Sequence, residues 1–400
     1  MQSSKRIKLA YITPQYSPEF GGPWHNLFLE LSKYVDVYCI ASPQFHSIRK
    51  NLKFQEINPH FHVIRFKSKK FRLRRELMIP IDLKKILDKI QPDIVQSDEF
   101  FRFTTTQAAK WAKKNNVLFI LSSRMKKRGG LVRNLGVWFF GKMPQNKFAV
   151  KYASKIISTQ GDCSMIEFLR WFPNTKEKFA IIPSGIDIEE FKKNISKKKI
   201  NFEDKKIILN VSRIDSMKRL DMLIKIFYLI QKEVLNVVLV HIGPRNDEKE
   251  WAKIQREIKK HSLQEKIKFI GPVKNRVLGD YYKSADVLVN TSVGEGICFS
   301  FLEAMTFKVP IVAFNQGGNY CSIDNGKNGF LINNDNKEEF ANKIIKILKE
   351  SNLKKKLGNG GWKKLNREFN IKKNAKKYVK VYRRVLNQHP IFTLNGKNKQ

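Results

Sequence analysis

The stretch that decides the fold is "VNTSVGEGICFSFLEAM", residues 289–305. It begins as a strand-like apolar run, turns at Gly294-Glu295-Gly296 and continues as a helix-like apolar segment that carries a second carboxylate, Glu303. A glycine turn between a strand and a helix is typical of parallel α/β sheets, in which such turns follow the carboxyl ends of strands. The stretch therefore predicts a strand–turn–helix unit with two glutamates at the edge of a parallel sheet.

Strand-like runs alternate with helical patterns on both sides of this stretch. In the first half, predicted strands lie at residues 7–13, 35–40, 61–66, 93–97, 117–122, 155–159 and 179–184, with predicted helices at 24–33, 82–90, 102–114 and 162–171. The second half starts again with strands at 207–212, 237–243, 267–271, 286–292 and 309–314. Short apolar runs separated by helices indicate βαβ units, so the chain is predicted to form two doubly wound parallel sheets.

Two segments without strands suggest where the domains end. Residues 189–206 are polar, rich in lysine and without a hydrophobic period, which is typical of a linker, whereas apolar residues at helical spacing in 371–386 predict an amphipathic closing helix. We expect a first domain at 1–190, a linker at 191–205, a second domain at 206–368, a closing helix at 369–388 and a tail at 389–400. Ligands bind beyond the carboxyl ends of the strands in such sheets, so a cleft between the domains is the predicted site.

Composition narrows the class of protein. The chain has 400 residues and is 42% hydrophobic. This is more apolar chain than a single hydrophobic core usually organises, so two domains are expected. No run approaches the roughly 18–20 apolar residues of a membrane-spanning helix, and the N-terminal stretch lacks the apolar core of a signal peptide. Four cysteines without a CxxC pair argue against a zinc site. We expect a cytoplasmic protein.

The charge is large and unevenly distributed. The chain has 77 Lys and Arg against 36 Asp and Glu, a net charge of +41. Residues 101–150 contain 11 basic and no acidic residues, and residues 351–400 contain 15 basic residues and one acidic residue. Such a field implies an anionic partner, either nucleic acid or an anionic membrane surface. A lysine-rich codon usage would raise the total, but it explains the uneven distribution poorly.

The glycine turn also predicts a ligand. Backbone N–H groups of such a turn, together with the positive end of the helix that follows, can bind phosphate. Glu303 would lie about one turn inside that helix, within reach of a hydroxylated group attached to the phosphates. Glu295, on the turn itself, would point at the group attached to the other end of the phosphates. A diphosphate between two sugar-like groups fits both placements, and this describes a nucleotide sugar.

A second segment, residues 209–227, adds positive charge to the predicted site. A strand ends at Ser212, Arg213 follows it, and Lys218 stands at the start of the next helix. Two cations at the carboxyl edge of the sheet would neutralise a diphosphate leaving group. Taken singly, each could also be a solvated loop charge.

The motif "GEGICFSFLEAM…KVPIVAFNQGG" resembles the E-x7-E signature of retaining glycosyltransferases of family 4, which have the two-domain GT-B fold. Four other stretches resemble family motifs in the same order along the chain. They are "PEFGGPWHNLFLELSK" (18–33, Gly-Gly loop and first helix), "IIPSGID" (181–187, IPNGVD), "VSRIDSMKRLDMLI" (211–224, VGRL…KG-D-LI) and "KNGFLI" (327–332, G-x-x-G-x-L). The resemblance covers most of the chain.

The resemblance implies two Rossmann-like domains facing a cleft, with the closing helix crossing back to an acceptor-binding N-terminal domain. In the donor-binding C-terminal domain, Glu303 would hold the nucleotide ribose. Glu295 would hold hydroxyls of the donor sugar and is counted as catalytic together with Arg213 and Lys218, which would stabilise the departing diphosphate.

The remaining donor contacts implied by the resemblance come mostly from backbone groups. They lie near Gly21 and Gly22 in the first half, from Gly296 through Ile297 to Cys298 in the second, and near Val273 for the nucleobase. We expect no metal cofactor, because side chains and backbone supply the positive charge.

Two departures from the family pattern concern the acceptor side. Arg124 in "LSSRMKKRGG" stands about where many members have a histidine, as in a subset with an "S-P-R-G-M" turn. In "DIVQSDEFF", Gln96 and Asp98 stand near the histidines of "D-V-V-H-x-H". Arg124 and Asp98 are the candidate acceptor-side residues.

The segment 124–148, "RMKKRGGLVRNLGVWFFGKMPQNKF", interleaves cations with aromatic residues. This mixture suits an anionic membrane surface, although the aromatics would also fit the core of an ordinary helix.

From the resemblance as a whole we expect a glycosyltransferase (EC 2.4) that moves a hexose-type sugar from a nucleotide diphosphate sugar to a glycan or lipid-linked acceptor with retention. Synthesis of bacterial surface polysaccharide or lipopolysaccharide, at the inner face of the cytoplasmic membrane, is the expected setting.

Two other classes of protein remain as alternatives. An NAD(P)-dependent oxidoreductase is suggested by "GEGICF", which is nearly G-x-G-x-x-G, but Phe299 replaces the third glycine and the next strand ends in Asn315 instead of an acid. A basic nucleic-acid-binding protein is suggested by the net charge, but the sequence has no RNA-recognition, OB or zinc-finger signature.

Overall fold

The computed structural model describes residues 6–13, 16, 18, 22–42, 54–70, 78–125, 144–193, 195, 200, 202–333 and 335–388. They form two compact units. Of the described residues, those up to Gly185 and those from Ile371 onward belong to the first unit, and those from Ile186 to Asn370 belong to the second. Gly21, residues 126–143 of the basic aromatic segment, part of the predicted linker and the tail 389–400 lie outside the described residues.

A mostly parallel sheet forms the centre of the first unit. The described strands of this unit are β1 (Lys8–Ile12), β2 (Asp36–Ala41), β3 (Phe54–Asn58), β4 (Phe61–Arg65), β5 (Ser68–Lys70), β6 (Met78–Pro80), β7 (Ile94–Asp98), β8 (Leu118–Ser123), β9 (Lys155–Gly161) and β10 (Phe179–Ile181). The main sheet has the order β10-β9-β8-β7-β1-β2-β4-β3, and β5 pairs with β6 in a separate small sheet. The central strands are parallel, which places their carboxyl ends at one edge.

Helices connect these strands as a doubly wound sheet requires. Among the described residues of the first unit they are α1 (Pro23–Ser32), α2 (Leu83–Ile90), α3 (Phe103–Lys114), α4 (Pro144–Tyr152) and α5 (Asp162–Leu169). α2 shows why the spacing of apolar residues predicts these helices. Leu83, Leu87 and Ile90 lie at helical spacing and are buried, whereas its lysines are exposed.

The second unit has a fully parallel sheet in its described residues. Its strands are β11 (Lys206–Val211), β12 (Val237–Ile242), β13 (Ile267–Gly271), β14 (Val287–Asn290), β15 (Ile311–Phe314) and β16 (Gly329–Ile332). They pair in the order β13-β12-β11-β14-β15-β16. Counted along the chain, this is the 3-2-1-4-5-6 order of a Rossmann sheet, which reverses direction between β11 and β14.

The helices of the second unit, as described, are α6 (Ile188–Lys192), α7 (Leu220–Glu233), α8 (Glu248–Lys260), α9 (Asn275–Ser284), α10 (Phe299–Thr306), α11 (Asn319–Ser322), α12 (Lys337–Lys349) and α13 (Ser351–Glu368). Apolar residues of these helices form clusters with the strands on both faces of the sheet. Both faces are therefore covered, as the continuous apolar runs of the strands predict.

The last helix, α14 (Ile371–Asn387), belongs to the first unit. Its side chains Tyr378 and Tyr382 are buried in the same core as Phe28 and Leu31 of α1. Full burial of a large apolar side chain contributes roughly 1.5–3 kcal/mol. The return of the chain to the first unit confirms the predicted crossing helix and, with the two parallel sheets, the predicted fold class.

Some elements differ from the predicted pattern. Four of the described strands were not predicted. β3 is an antiparallel edge strand whose polar residues leave no continuous apolar run. The short strand β16 lies at the edge of its sheet, and β5 and β6 form the small two-stranded sheet. The predicted linker 191–205 overlaps the end of α6, a helix that the Asp187 carboxylate caps by accepting hydrogen bonds from two backbone N–H groups. Ile186 and Ile188 pack in the core of the second unit, so the unit boundary lies before residue 190.

Among the helices that the structure describes, none has both the length and the hydropathy that a membrane span requires.

Candidate functional site

β11 and β14 are the strands at which the sheet of the second unit reverses its order. They are hydrogen-bonded neighbours, with Ile208 opposite Val287. The connections leave the two strands toward opposite faces of the sheet, so a crevice forms beyond their carboxyl ends. Arg213 follows β11 and Glu295 follows β14. The topology thus brings the predicted cationic segment and the predicted glutamate turn to the same edge.

Glycines fix the backbone of Glu295. Gly294 has φ +75° and Gly317 has φ +60°, a conformation that favours glycine. A Cβ on Gly317 would lie 2.5 Å from the Glu295 carbonyl oxygen, and the Gly318 N–H donates to that oxygen at 2.7 Å. Only glycine permits this approach of two backbones, which holds the turn that carries the Glu295 side chain.

Lys218 and Glu295 bind each other. Lys218 Nζ donates to Glu295 Oε1, and the two side chains are 14% and 20% exposed. The pair is mostly shielded from water, so each charge depends on the other for compensation. Two residues that the sequence analysis assigned separately, from two motifs, therefore form one ion pair in the structure.

The backbone that carries Lys218 has an unusual conformation. Lys218 ends a 3₁₀ turn, Ser216–Lys218, which the side chain of Asp215 caps. The next residue, Arg219, is left-handed with φ 52°, a conformation that costs an L residue roughly 1–2 kcal/mol. Its guanidinium is 2.8 Å from Asp335 Oδ2 and lies over the Phe314 ring at 5.5 Å. These two contacts hold Arg219 in the conformation that follows Lys218.

Arg213 has a different partner. Its Nη2 is 3.1 Å from Asp215 Oδ2, and its side chain is 58% exposed. The structure places Arg213 at the same sheet edge as Lys218, but pairs it with Asp215 instead of Glu295. An exposed arginine of this kind is free to change its rotamer when an anion binds.

Glu303 lies in α10, about one turn from its start, as predicted. The Tyr282 hydroxyl donates to Glu303 Oε2 at 2.7 Å. Burial raises the pKa of the Glu303 carboxyl, and the hydrogen bond from Tyr282 lowers it in part. Tyr282 itself is fully buried in α9, and burial raises its pKa well above the usual value. One oxygen of Glu303 is thus held by a rigid side chain that the sequence analysis missed.

Gly296, Ile297 and Cys298 form the connection from the turn to α10. Ile297 and Cys298 are buried, and Cys298 is the residue before the first helical turn. Cys298 Sγ lies 3.0 Å from Ser300 Oγ, and burial raises the pKa of the thiol to about 11. Cys298 is therefore a protonated packing residue at neutral pH, and its contribution to a ligand would come from its backbone.

The predicted nucleobase segment lies at the same carboxyl edge, after β13. Val273 is half-buried against the core of the second unit. The Gly243 N–H donates to the Gly271 carbonyl at 3.0 Å, and a Cβ on Gly243 would lie 1.8 Å from the Ser212 carbonyl oxygen. The ends of β11, β12 and β13 consequently approach one another closely.

A buried histidine at this edge was not predicted. His241 in β12 has Nδ1 2.9 Å from Asn210 Oδ1, and its buried Nε2 has no hydrogen-bond partner among the residues that the structure describes. Burial lowers the pKa of His241 to about 4, so the ring is neutral at pH 7. The signal was present in the sequence, because a histidine interrupts the apolar run "VVLVHIG".

In the first unit, Asp98 ends β7 and is part of a buried hydrogen-bond network. The Tyr11 hydroxyl donates to Asp98 Oδ1 at 2.7 Å and lies 3.0 Å from Ser122 Oγ. Gln96 donates to the same Ser122 hydroxyl and accepts from Tyr382 of the closing helix at 2.6 Å. Asp98 is 2% exposed. The structure therefore places this candidate acceptor residue inside the unit.

Arg124 follows β8, close to Glu99. Its backbone N–H donates to Glu99 Oε1 at 3.1 Å, and its guanidinium lies over the Trp24 ring at 5.4 Å. Glu99 is buried, left-handed with φ 60°, and its Oε2 has no hydrogen-bond partner among the described residues. Burial raises the pKa of the Glu99 carboxyl. Gly22, with φ +88° before α1, lies in the same unit.

Residues 191–364 match the family model of glycosyl transferases group 1. This part of the chain is therefore similar to the glycosyl transferases group 1 family. The match includes Lys218, Glu295 and Glu303, and it confirms the resemblance on which the predicted site rests. It favours a glycosyltransferase over a dinucleotide-dependent oxidoreductase or a nucleic-acid-binding protein.

Solved structures share the fold over almost the whole chain. HepE from Anabaena, solved in complex with UDP, has a TM-score of 0.73 at 16% identity and covers 94% of this chain and 99% of its own. A glycosyltransferase from Rickettsia africae has a TM-score of 0.73 at 18% identity and covers 96% and 99%. These similarities confirm the predicted GT-B fold.

Curated relatives match shorter parts of the chain. A probable sucrose-phosphate synthase from Thermosipho melanesiensis is 27% identical over 60% of this chain and 56% of its own length. An uncharacterized glycosyltransferase of Methanocaldococcus jannaschii is 29% identical over 54% and 55%. This chain therefore spans little more than half the length of these relatives.

Proposed function

We propose that the protein is a glycosyltransferase that moves a hexose-type sugar from a nucleotide diphosphate sugar to a glycan or lipid-linked acceptor. The observation that carries the proposal is the Lys218–Glu295 ion pair at the strand-order reversal of the second unit. A lysine that is already held at the carboxyl edge of the sheet is positioned for a diphosphate, and its glutamate partner can exchange the lysine for sugar hydroxyls.

Donor binding follows from the charges at this edge. The diphosphate replaces the Glu295 carboxylate as the anion on Lys218, and Arg213 turns from Asp215 toward the phosphates. Glu295 then accepts hydrogen bonds from the hydroxyls of the donor sugar. Glu303, with one oxygen held by Tyr282, uses the other to accept from the ribose.

The reaction transfers the sugar with retention. The bond from the anomeric carbon to the diphosphate oxygen breaks, and a new bond to the acceptor oxygen forms on the same face. The acceptor hydroxyl gives its proton to the departing diphosphate, whose charge Lys218 and Arg213 stabilise. Because these two cations and the backbone N–H groups before α10 supply the positive charge, we propose that the reaction needs no metal.

The acceptor side is assigned to the first unit. Arg124, whose guanidinium lies over the Trp24 ring, would contact the acceptor. Asp98 belongs to the buried hydrogen-bond network with Tyr11 and supports the sheet edge. Surface polysaccharide or lipopolysaccharide synthesis would provide acceptors of this class.

The experiment that tests the donor site is thermal unfolding with UDP-, GDP- and ADP-linked sugars, beginning with UDP because HepE was solved with it. We expect one nucleotide series to raise the Tm of the wild type, and Glu303→Ala and Arg213→Ala to reduce that shift. The matched control is Lys259→Ala, an exposed lysine of α8. A shift with NAD, or a salt-sensitive shift with RNA, in place of any nucleotide sugar would contradict the proposal.

We also propose that the protein associates with anionic membranes from the cytoplasmic side. In the described residues the support is the outer face of α14, whose exposed residues include Lys373, Lys376, Lys377, Lys380, Arg383 and Arg384. Co-sedimentation with vesicles tests this. Binding to anionic but not zwitterionic vesicles, weakened by salt, is expected, and equal binding to both would contradict it.

A further inference from the structure

Thr291 lies immediately after β14, between the strand and the Glu295 turn. It is fully buried. Its hydroxyl lies 2.9 Å from the carbonyl oxygen of Lys218 and 3.1 Å from that of Arg219. A hydroxyl has one proton, so Thr291 donates to these two carbonyls in a shared hydrogen bond.

A second contact joins the same two segments. The Val293 N–H donates to the Met217 carbonyl at 3.0 Å. Residues 217–219, which carry Lys218, are therefore fastened to residues 291–293, which lead into the Glu295 turn. In this way the backbone of the lysine and the backbone of its carboxylate partner are held by one set of hydrogen bonds.

The Thr291 hydroxyl bonds at the point where the backbone is most constrained. Arg219 is left-handed, and its side chain is tied to Asp335 and Phe314. Among the described residues, the side chain of Lys218 is held by its ion pair with Glu295, and its backbone by the 3₁₀ turn. Without the Thr291 hydroxyl, the Lys218 carbonyl would lose its buried donor, and the turn would shift until water or another group satisfied it.

We propose that Thr291 is a positioning residue for Lys218, which sets where Nζ stands relative to the leaving group. This inference rests on the proposed role of Lys218 in turnover. Thr291 touches no substrate atom in this assignment and acts only through the backbone of residues 218 and 219.

The test compares Thr291→Val, which keeps the shape of the side chain and removes its hydroxyl, with Thr291→Ser, which keeps the hydroxyl. We expect Thr291→Val to lower kcat about five- to tenfold with the KM for the donor changed less than about twofold, because the Glu303 contact is intact. Thr291→Ser should restore most of the lost turnover. Thr291→Ala serves as the second hydroxyl-free variant in case the valine variant does not fold.

The decisive arm repeats Thr291→Val in a Lys218→Ala background. If Thr291 acts through the lysine, the valine substitution causes no further loss of kcat there. The same fold-loss in both backgrounds, or full turnover of folded Thr291→Val, would overturn the inference.

Lys218→Ala alone separates the role of Lys218 from the role of Thr291. If that variant turns over like the wild type, the proposed function of the lysine fails. If it is impaired while Thr291→Val is not, only the role of Thr291 fails.

Discussion

Acidic residues lie at the carboxyl edges of the sheets in both units, but their carboxylates have different kinds of partner. In the second unit, Glu295 stands on a turn and pairs with the partly exposed Lys218 side chain. In the first unit, Asp98 is buried beneath Tyr11, and Glu99 accepts from a backbone N–H. A charge held by another side chain can be exchanged for a ligand, whereas a charge held by buried hydroxyls and backbone keeps the edge in shape. The comparison thus separates the proposed binding edge of the second unit from the supporting edge of the first.

Removing the exchangeable cation should produce the largest effect. We expect Lys218→Ala to lower kcat by about 10²–10³, since loss of one group that stabilises a developing negative charge costs this much in other enzymes. Steady-state kinetics measures the loss. The control Lys259→Ala should be unchanged, and a loss confined to KM would show that Lys218 binds the donor without acting in the transition state.

Replacing Glu303, the proposed ribose ligand, should weaken donor binding while the fold is kept. For Glu303→Gln we expect affinity for the nucleotide sugar to fall by ~10- to 100-fold, because hydrogen bonds to a charged acceptor contribute about 1.5–3 kcal/mol. Isothermal titration calorimetry gives the value. Tyr282→Phe, which frees the second oxygen of Glu303, should fall between the wild type and this variant; an affinity equal to the wild type for both would remove Glu303 from the site.

At the supporting edge of the first unit, we expect a substitution to lower stability and to leave donor affinity unchanged. Tyr11→Phe takes a hydrogen-bond donor from the buried Asp98, so the free energy of unfolding should fall by about 1–3 kcal/mol. Urea denaturation measures the change. Nucleotide sugar affinity should stay as in the wild type, and a loss of donor affinity with unchanged stability would contradict the division between the two edges.

The smallest expected effect is a pH dependence of donor binding. The raised pKa of Glu303 means that its carboxyl takes up a proton at a higher pH than an ordinary glutamate does. Because ribose hydroxyls favour the charged acceptor, affinity should fall as the pH drops through that pKa, by at most about tenfold per pH unit. Titration with an intact nucleotide sugar between neutral and mildly acidic pH measures this, and Glu303→Gln should give a flat profile.

The effect of Glu303 on stability has the opposite sign. A carboxyl whose folded pKa is raised contributes stability that is present below its unfolded pKa and is lost as the pH rises through the folded value. As the pH falls, the free energy of unfolding of the ligand-free protein should therefore rise while the affinity for the donor falls.

Most strands were predictable because strands buried on both faces are continuous apolar runs, as in "IILNV" and "VVLVHI". β3 was not, because an edge strand keeps one polar face and "FQEIN" has no apolar run. α6 could have been found from Asp187, whose position before two glutamates is a helix-start signal.

The site was predictable in its residues but not in its contacts. Glu295, Glu303 and Lys218 stand in recognisable motifs, yet the pairing of Lys218 with Glu295 joins positions 77 apart and depends on the strand order. Tyr282 and Thr291 were missed because each acts through one hydroxyl within an ordinary helix or strand end. No local pattern distinguishes such a hydroxyl from one that faces solvent.

The closing helix has a consequence for the order in which the chain is completed during synthesis. Tyr378 and Tyr382 are translated after the whole of the second unit, yet they fill the core of the first. The described part of the second unit comes from the stretch Ile186–Asn370, which is synthesised before α14, whereas the core of the first unit lacks these two tyrosines until α14 has been made. A product truncated before Ile371 would therefore keep the described part of the second unit and lack Tyr378 and Tyr382 from the core of the first.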